Sequence, residues 1–255
     1  MTVAYDKKAK HKLLDEVGFR DHFQAESWAE FNRQFFDGLA PKYDRLNEVL
    51  SLGQHHRIKE TAIQKIGIKP GDRILDLCTG SGDVALWIAK HYPQCEVIGG
   101  DVSQKMLEIA SRRGAGLTNL KFQTADCMAL PFQAGAFDVV IVSFGLRNLD
   151  DLKGGLLEMK RVAKPGAKVV NLDLGRPQGK FLNAVHSIYF RRIIPFLGKH
   201  IFHRGEFNSF AYLPNSGKYF PNQRELTAVF QELGFQDVRN YDYMLGAIAQ
   251  QVAVV

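Results

Sequence analysis

From Arg73 to Leu172, short apolar runs alternate with segments whose apolar positions recur every three to four residues. The runs Arg73–Cys78, Glu96–Gly100, Leu120–Thr124, Phe137–Ser143 and Ala167–Leu172 have the length and residue types of buried strands. Gly82–His91, Ser103–Arg113 and Leu152–Val162 carry the helical period. Such alternation specifies a parallel sheet with helices on both faces. Lys69-Pro70-Gly71-Asp72 is a turn that launches the first strand, and Pro165-Gly166 turns the chain into the fifth. Upstream, Lys7–Phe36 reads as an amphipathic helix, followed by Tyr43–Ser51 and His56–Ile66 with a break at Gly53. Downstream, Gly175 to Asn222 interrupts the alternation with aromatic, basic and apolar residues. A helix at Arg224–Leu233 then leads to Asp237–Tyr243 and Ala247–Val254, which Leu245-Gly246 joins into an antiparallel hairpin closing the sheet. The expected division is a helical extension and lid over residues 1–66 and a Rossmann-like domain over 67–255, with a helical insert at about 175–222.

The chemistry gathers at the strand tips. Ile74-Leu75-Asp76-Leu77 opens into Cys78-Thr79-Gly80-Ser81-Gly82-Asp83, and Val97-Ile98-Gly99-Gly100 ends on Asp101. That is one βαβ unit whose two strand tips face the same ligand. Gly80 and Gly82 let the backbone approach a nucleotide-like molecule, and the helix N-terminus offers free amides. Asp101 can accept from both hydroxyls of a ribose; its plainer reading is an N-cap for the helix from Ser103. Residues Gly80 to Ala85 also fit the GxGxxA dinucleotide pattern, a weak signal alone. Asp76 argues against it, since a pyrophosphate is repelled by a carboxylate at the loop entrance. S-adenosylmethionine instead brings a positive amino group and a sulfonium. Ala125-Asp126-Cys127 places another acid where an adenine amino group can donate. The plainer reading of Asp76 is a loop cap; the three acids together favour an S-adenosylmethionine site.

Composition narrows the setting. The 255 residues suffice for one large α/β domain, and 45% hydrophobic content is ordinary for a soluble globule. Cys78, Cys95 and Cys127 lack CxxC spacing, so neither zinc nor a disulfide framework is expected, and a reducing cytoplasm suits them. Met1 to Lys12 is polar rather than a signal peptide, and no apolar run spans a bilayer. A net charge of +6 permits an acidic partner or an anionic membrane surface without requiring either.

Further motifs carry a family resemblance. Phe36-Asp37-Gly38-Leu39-Ala40-Pro41-Lys42-Tyr43-Asp44-Arg45-Leu46-Asn47 and Ser51-Leu52-Gly53-Gln54-His55 precede the sheet. Ser143-Phe144-Gly145-Leu146-Arg147-Asn148 follows the fourth strand, and Arg161-Val162-Ala163-Lys164-Pro165-Gly166 precedes the fifth. From about Phe36 to the C-terminus the chain resembles the ubiquinone/menaquinone biosynthesis C-methyltransferases, demethylmenaquinone methyltransferases among them. The resemblance implies an α/β class I S-adenosylmethionine-dependent methyltransferase, with a seven-stranded, mostly parallel sheet ending in an antiparallel hairpin. Three departures stand out: Ile58 where the family usually carries Trp, Asp173 where it usually has Glu, and Cys78 in place of the loop's first glycine.

The resemblance further implies methyl transfer to a ring carbon of a reduced, demethylated quinone. It carries over Ser81, Asp101, Asp126, Cys127 and Ser143 as cofactor contacts beside Asp76, Gly80 and Gly82. Such chemistry needs in-line attack, excluded water, donors for a phenolate and a proton acceptor. Arg147 suits a developing phenolate or an oriented water, and Asn148 a quinol oxygen; the plainer reading locks Arg147 to Asp150 or Asp151. Tyr43 on the lid can position substrate or sulfonium, while Asp44 and Asn47 read equally as capping and packing groups. His55 titrates near neutrality and suits a base, though His55-His56-Arg57 is also an ordinary polar helix start. His11, His22, His91, His186, His200 and His203 show no metal-ligand spacing.

In the insert, Phe181 to Leu197 combines apolar bulk with Arg191 and Arg192, and Lys199 follows. It reads as a wall for an isoprenoid tail with cations on anionic headgroups, or as a packed helix with a solvated basic side. The expected partners are a lipophilic quinol, a peripheral membrane contact, a homodimer and no nucleic acid. Three rival readings stand beside this one. A methyltransferase of another small aromatic substrate fits the departures. An RNA-binding protein fits the charge but lacks an aromatic RNA-binding motif. A cofactor-binding protein without turnover is the third.

Overall fold

The computed structural model of the chain describes residue 25 and residues 27–51, 53–189, 192, 196, 212, 216, 217 and 220–255. Within these, α1 (Trp28–Leu39), α2 (Tyr43–Leu50) and α3 (His55–Gln64) precede the sheet. Then come β1 (Arg73–Leu77), α4 (Asp83–His91), β2 (Glu96–Asp101), α5 (Gln104–Arg113), β3 (Leu120–Thr124) and β4 (Phe137–Ser143). The chain continues through α6 (Leu152–Val162), β5 (Ala163–Leu174), α7 (Lys180–Ile188), α8 (Gln223–Glu232), β6 (Gln236–Tyr243) and β7 (Ile248–Val254).

The strands form one seven-stranded sheet in the order β3-β2-β1-β4-β5-β7-β6. β1 to β5 are mutually parallel, while β7 runs antiparallel to both β5 and β6. The parallel strands are buried on both faces, as their continuous apolar runs require: Ile74, Leu75 and Leu77 of β1 are fully enclosed. One core lies between the sheet and α6 and α8, built on Phe137, Leu152, Met159 and Phe230. A second, with Ile74, Ile88 and Val97, lies under α4.

The strands and helices expected between Arg73 and Leu172, the helix at Arg224–Leu233 and the C-terminal hairpin are in place, with shifted ends, while most of the insert expected at about 175–222, Arg191 and Lys199 included, lies outside the described residues. The helix expected over Lys7–Phe36 begins, among the described residues, at Trp28. Ser27 caps it by accepting from the Glu30 amide at 3.1 Å, and it runs on to Leu39. Residues 7–24 and 26 of that expected helix lie outside the described residues. The turn foreseen at Pro165-Gly166 is absorbed into β5, which is longer than Ala167–Leu172; the pairing with β4 is irregular there, passing from Phe137–Ala163 to Val139–Lys168, while the amide of Gly166, at φ +78°, donates to the Val255 carbonyl. Asp101 does not cap α5: Ser103 does, its hydroxyl accepting from Met106 N at 3.2 Å.

Candidate active site

The sheet order reverses between β1 and β4, so the loops leaving their C-terminal ends border a crevice. Asp76, one residue from the end of β1, is buried. Its Oδ2 accepts from the Thr79 hydroxyl at 2.5 Å and from the Ala85 amide at 3.2 Å. Oδ1 is buried with no hydrogen-bond partner in the protein. Burial pushes this carboxyl up to about 7, against the pull of the Thr79 hydroxyl.

The loop turns tightly after Asp76. Cys78, Gly80 and Gly82 all have positive φ, at 52°, 56° and 90°, and Gly82 stands directly before α4. Asp101, at the tip of β2, holds the loop from the side. Its Oδ2 accepts from the Gly80 amide at 2.8 Å and its Oδ1 from the Ser103 amide at 2.9 Å. Burial raises its carboxyl pKa against those amides. Each oxygen keeps a second lone pair for a ligand hydroxyl.

A cleft opens beside this loop. Asp101, Asp126, Cys127 and Gly80 line one part of it. Trp28, Phe36, Met106, Met128, Phe144 and Leu149 give it apolar walls. Asp126 is fixed by accepting from the Met128 amide at 2.9 Å. Tyr43 and Cys78 lie both on the cleft and on an adjoining recess lined by Lys59, Asp76, Ser81 and Ser143. Like Asp76 Oδ1, the buried Ser143 Oγ has no partner in the protein. A polar recess with two unanswered oxygens, beside a larger apolar chamber, suits a ligand with one cationic and one aromatic end.

The N-terminal helices close over this region. The Tyr43 ring lies against Gly80, 3.4 Å from where a β-carbon there would stand, and burial raises its phenol pKa. Ser81 Oγ donates to Asp44 Oδ1 at 2.6 Å, and Arg113 reaches the Ser81 carbonyl at 2.9 Å. Asp83 receives Lys59 at 2.9 Å and Arg113 at 2.7 Å. Burial opposes its ionisation, but those two cations outweigh it and hold the carboxyl well below the usual range. The pattern reading missed this Lys59–Asp83–Arg113–Ser81–Asp44 network. Its one local signal was an acid directly after the loop's last glycine.

Arg147 and Asn148 sit in the turn after β4, but most of their hydrogen-bonding groups are engaged within the protein. Arg147 Nη1 donates to Asp173 Oδ1 and to the Phe144 carbonyl, each at 2.6 Å. The salt bridge of Arg147 goes to Asp173 rather than to Asp150 or Asp151, and Asp151 caps α6 by accepting from Lys153 N. Asn148 lines the cleft, yet its Oδ1 accepts from Tyr212 OH at 3.0 Å. Its carbonyl accepts from Trp28 Nε1 at 2.7 Å and Asn32 Nδ2 at 2.8 Å, tying α1 to the cleft edge.

His55 is not brought to the cleft. It is buried beside the loop's far side, with Nδ1 3.2 Å from Ser51 Oγ and 3.3 Å from Glu48, and Nε2 4.0 Å from Asp83. Burial, then Lys59 and His56, lower its pKa. Of the three departures, Ile58 packs on Ala62, Leu172 and Ile248, and Asp173 pairs with Arg147. Cys78 lines the cleft.

The doubly wound sheet, its acid-tipped β1 and β2 and the two unanswered oxygens define an S-adenosylmethionine-dependent methyltransferase of class I. The chain belongs to the ubiE/COQ5 methyltransferase family, whose model matches residues 26–255. A "Demethylmenaquinone methyltransferase" from Thermus thermophilus is 41% identical over 201 residues, covering 78% of this chain and 90% of that one. A "Ubiquinone/menaquinone biosynthesis C-methyltransferase UbiE" from Geobacter sulfurreducens is 37% identical over 218 residues, 84% of each chain. Among solved structures, a SAM dependent methyltransferase from Aquifex aeolicus aligns with a TM-score of 0.60 at 18% identity, over 83% of this chain and 97% of that one. That last likeness speaks for the fold alone.

Proposed function

We propose that the protein methylates a ring carbon of a reduced, demethylated quinone of the naphthoquinone type, with S-adenosylmethionine as donor. One observation carries the reading: the polar recess of Asp76 and Ser143 meets the apolar chamber across Tyr43 and Cys78. The name of the Thermus thermophilus relative supports the choice of ring. When bound, S-adenosylmethionine supplies an electrophilic methyl group on a sulfonium.

The chain's residues then divide the work. Asp76 and Ser143 hold the amino end, and Asp101 takes the ribose hydroxyls. Asp126 and Cys127 border the adenine, while Gly80 and Gly82 let the backbone approach. Ser81, bound to Asp44 and Arg113, fastens the lid rather than meeting the ligand first. Tyr43 separates recess from chamber and orients the acceptor ring. Trp28, Phe36 and Phe144 exclude water from the reacting atoms. Arg147 acts as a positioning residue, holding the 144–148 turn through Phe144 and Asp173, and Asn148 anchors α1 beside it. Residues 1–66 are the lid and 67–255 the catalytic domain in this reading, supported by the Tyr43–Gly80 and Trp28–Asn148 contacts.

No described helix is long and apolar enough to cross a membrane. A lipophilic substrate calls for a peripheral contact with one. The test is release of S-adenosylhomocysteine across a panel of short-tailed quinols, catechols and simple phenols. Release with a demethylated naphthoquinol above all others is expected. Release with another ring alone transfers the assignment to a different aromatic substrate, the reading that the Cys78 departure in the cleft favours.

A further inference from the structure

Four large apolar side chains face water near the rim that carries the cleft. Leu245 is 75% exposed and Met244 43% in the β6–β7 turn; Phe181 is 79% and Leu182 36% exposed at the start of α7. The topology brings the β6–β7 turn against the stretch of chain that leads into α7. β7 runs antiparallel to β5, so the β6–β7 turn lies at the C-terminal end of β5, the same end of the sheet as the crevice. There the Gly175 amide donates to the Ala247 carbonyl at 2.9 Å. Gln223 Nε2 donates to the Arg176 carbonyl at 3.1 Å and stands 3.5 Å from that of Gly246. Four residues beyond Arg176 the chain enters α7 at Lys180.

The turn is built against local preference. Met244 and Leu245 have φ of 49° and 57°, left-handed conformations that glycine, asparagine and aspartate adopt most readily. A surface turn holding two large apolar residues in that region points to a function for their side chains. The charge carried by the neighbouring sequence says which. Residues 175–222 contain seven Lys or Arg and one acid, Glu206, a net +6 that equals the charge of the whole chain. Apolar side chains accompanied by a cationic segment match the headgroup boundary of an anionic bilayer.

We propose that this rim is the membrane-docking edge of the protein, with Met244, Leu245, Phe181 and Leu182 entering the headgroup region of an anionic bilayer. The proposal rests on the lipophilic substrate read above. Docking by this edge turns the crevice end of the sheet toward the lipid. The acceptor ring then enters the cleft while its tail stays in the membrane.

The experiment is flotation of the full chain with vesicles of phosphatidylcholine and phosphatidylglycerol, and with phosphatidylcholine alone. The double variant Met244→Asn/Leu245→Asn keeps residues at home in the left-handed region and so preserves the turn. The wild type is expected to float with the anionic vesicles, and the variant to lose roughly tenfold or more in partition coefficient. Its turnover of a short-tailed, water-soluble quinol is expected to be unchanged, while turnover of a long-tailed quinol in vesicles falls. Equal flotation of variant and wild type, or no flotation of the wild type, overturns the proposal. So does a variant that changes from dimer to monomer in light scattering yet floats normally, since the patch then serves a second copy. A wild type that floats through this edge but methylates neither quinol supports the docking edge and contradicts the substrate reading.

Discussion

A β-carbon on residue 145 would stand 2.4 Å from the β-carbon of Cys78 and 2.7 Å from its sulfur, so Gly145 is glycine because Cys78 is not. The loops after β1 and β4 close on each other through this pair. Cys78 itself sits at φ +52°, a conformation in which a side chain is strained. Gly145→Ala is therefore expected to cost about 1–3 kcal/mol through overpacking. In a Cys78→Gly background most of that loss should disappear. Urea denaturation of the four proteins gives the coupling directly; strictly additive effects would show that the two residues do not compete for space.

The Arg147–Asp173 pair is almost wholly buried, with side chains 9% and 0% exposed. Removing one partner of such a pair leaves the other charge unmatched. Asp173→Ala should cost about 3–5 kcal/mol of stability. Asp173→Glu, which restores the usual family residue, should retain most of it. Equal losses in the two variants would mean that the shape of the site, and not its charge, holds the turn.

Asp76 gives the protein a pH dependence of definite sign. Its folded carboxyl is raised from 3.8 to about 7, so its protonated form favours the fold. That contribution is complete below about pH 4 and is lost as pH rises through 7. A cationic cofactor favours the ionised form, so binding near pH 6 should release a proton. Calorimetry of S-adenosylmethionine binding in buffers of different ionisation enthalpy reads that proton. An enthalpy independent of buffer at pH 6 would remove Asp76 from the recess chemistry.

Asp101 combines a structural duty with a ligand duty. Asp101→Asn can keep one acceptor for Gly80 or Ser103 while losing the charge. With two charge-assisted hydrogen bonds weakened, cofactor affinity should drop by about a hundredfold or more. Unchanged affinity by calorimetry, in a variant that melts normally, would contradict the ribose assignment.

Much of this was legible in the sequence because the signals are local. Apolar runs that carry Asp76 one residue from the end of β1 and Asp101 at the end of β2 mark the strands and the acids near their tips. The Gly80 and Gly82 spacing fixes the loop. The sequence pattern could not reveal partners distant along the chain. Arg147 has two nearby acids at Asp150 and Asp151 yet pairs with Asp173, because the β4–β5 register sets Ser143 beside Leu172. His55 follows a loop that looks like a lid over the cleft, but burial turns it toward Ser51 and Glu48 instead. The Lys59–Asp83–Arg113 cluster joins three helices, and no short-range pattern announces it.

The most direct test is mass spectrometry after incubation with trideuteromethyl S-adenosylmethionine and a short-tailed demethylmenaquinol kept reduced by dithionite, with the oxidised ring in parallel. A product carrying one trideuteromethyl group on ring carbon, formed from the reduced ring and not from the oxidised one, is the expected result. No labelled product from the reduced ring, in a protein that binds the cofactor by calorimetry, would contradict quinol C-methylation.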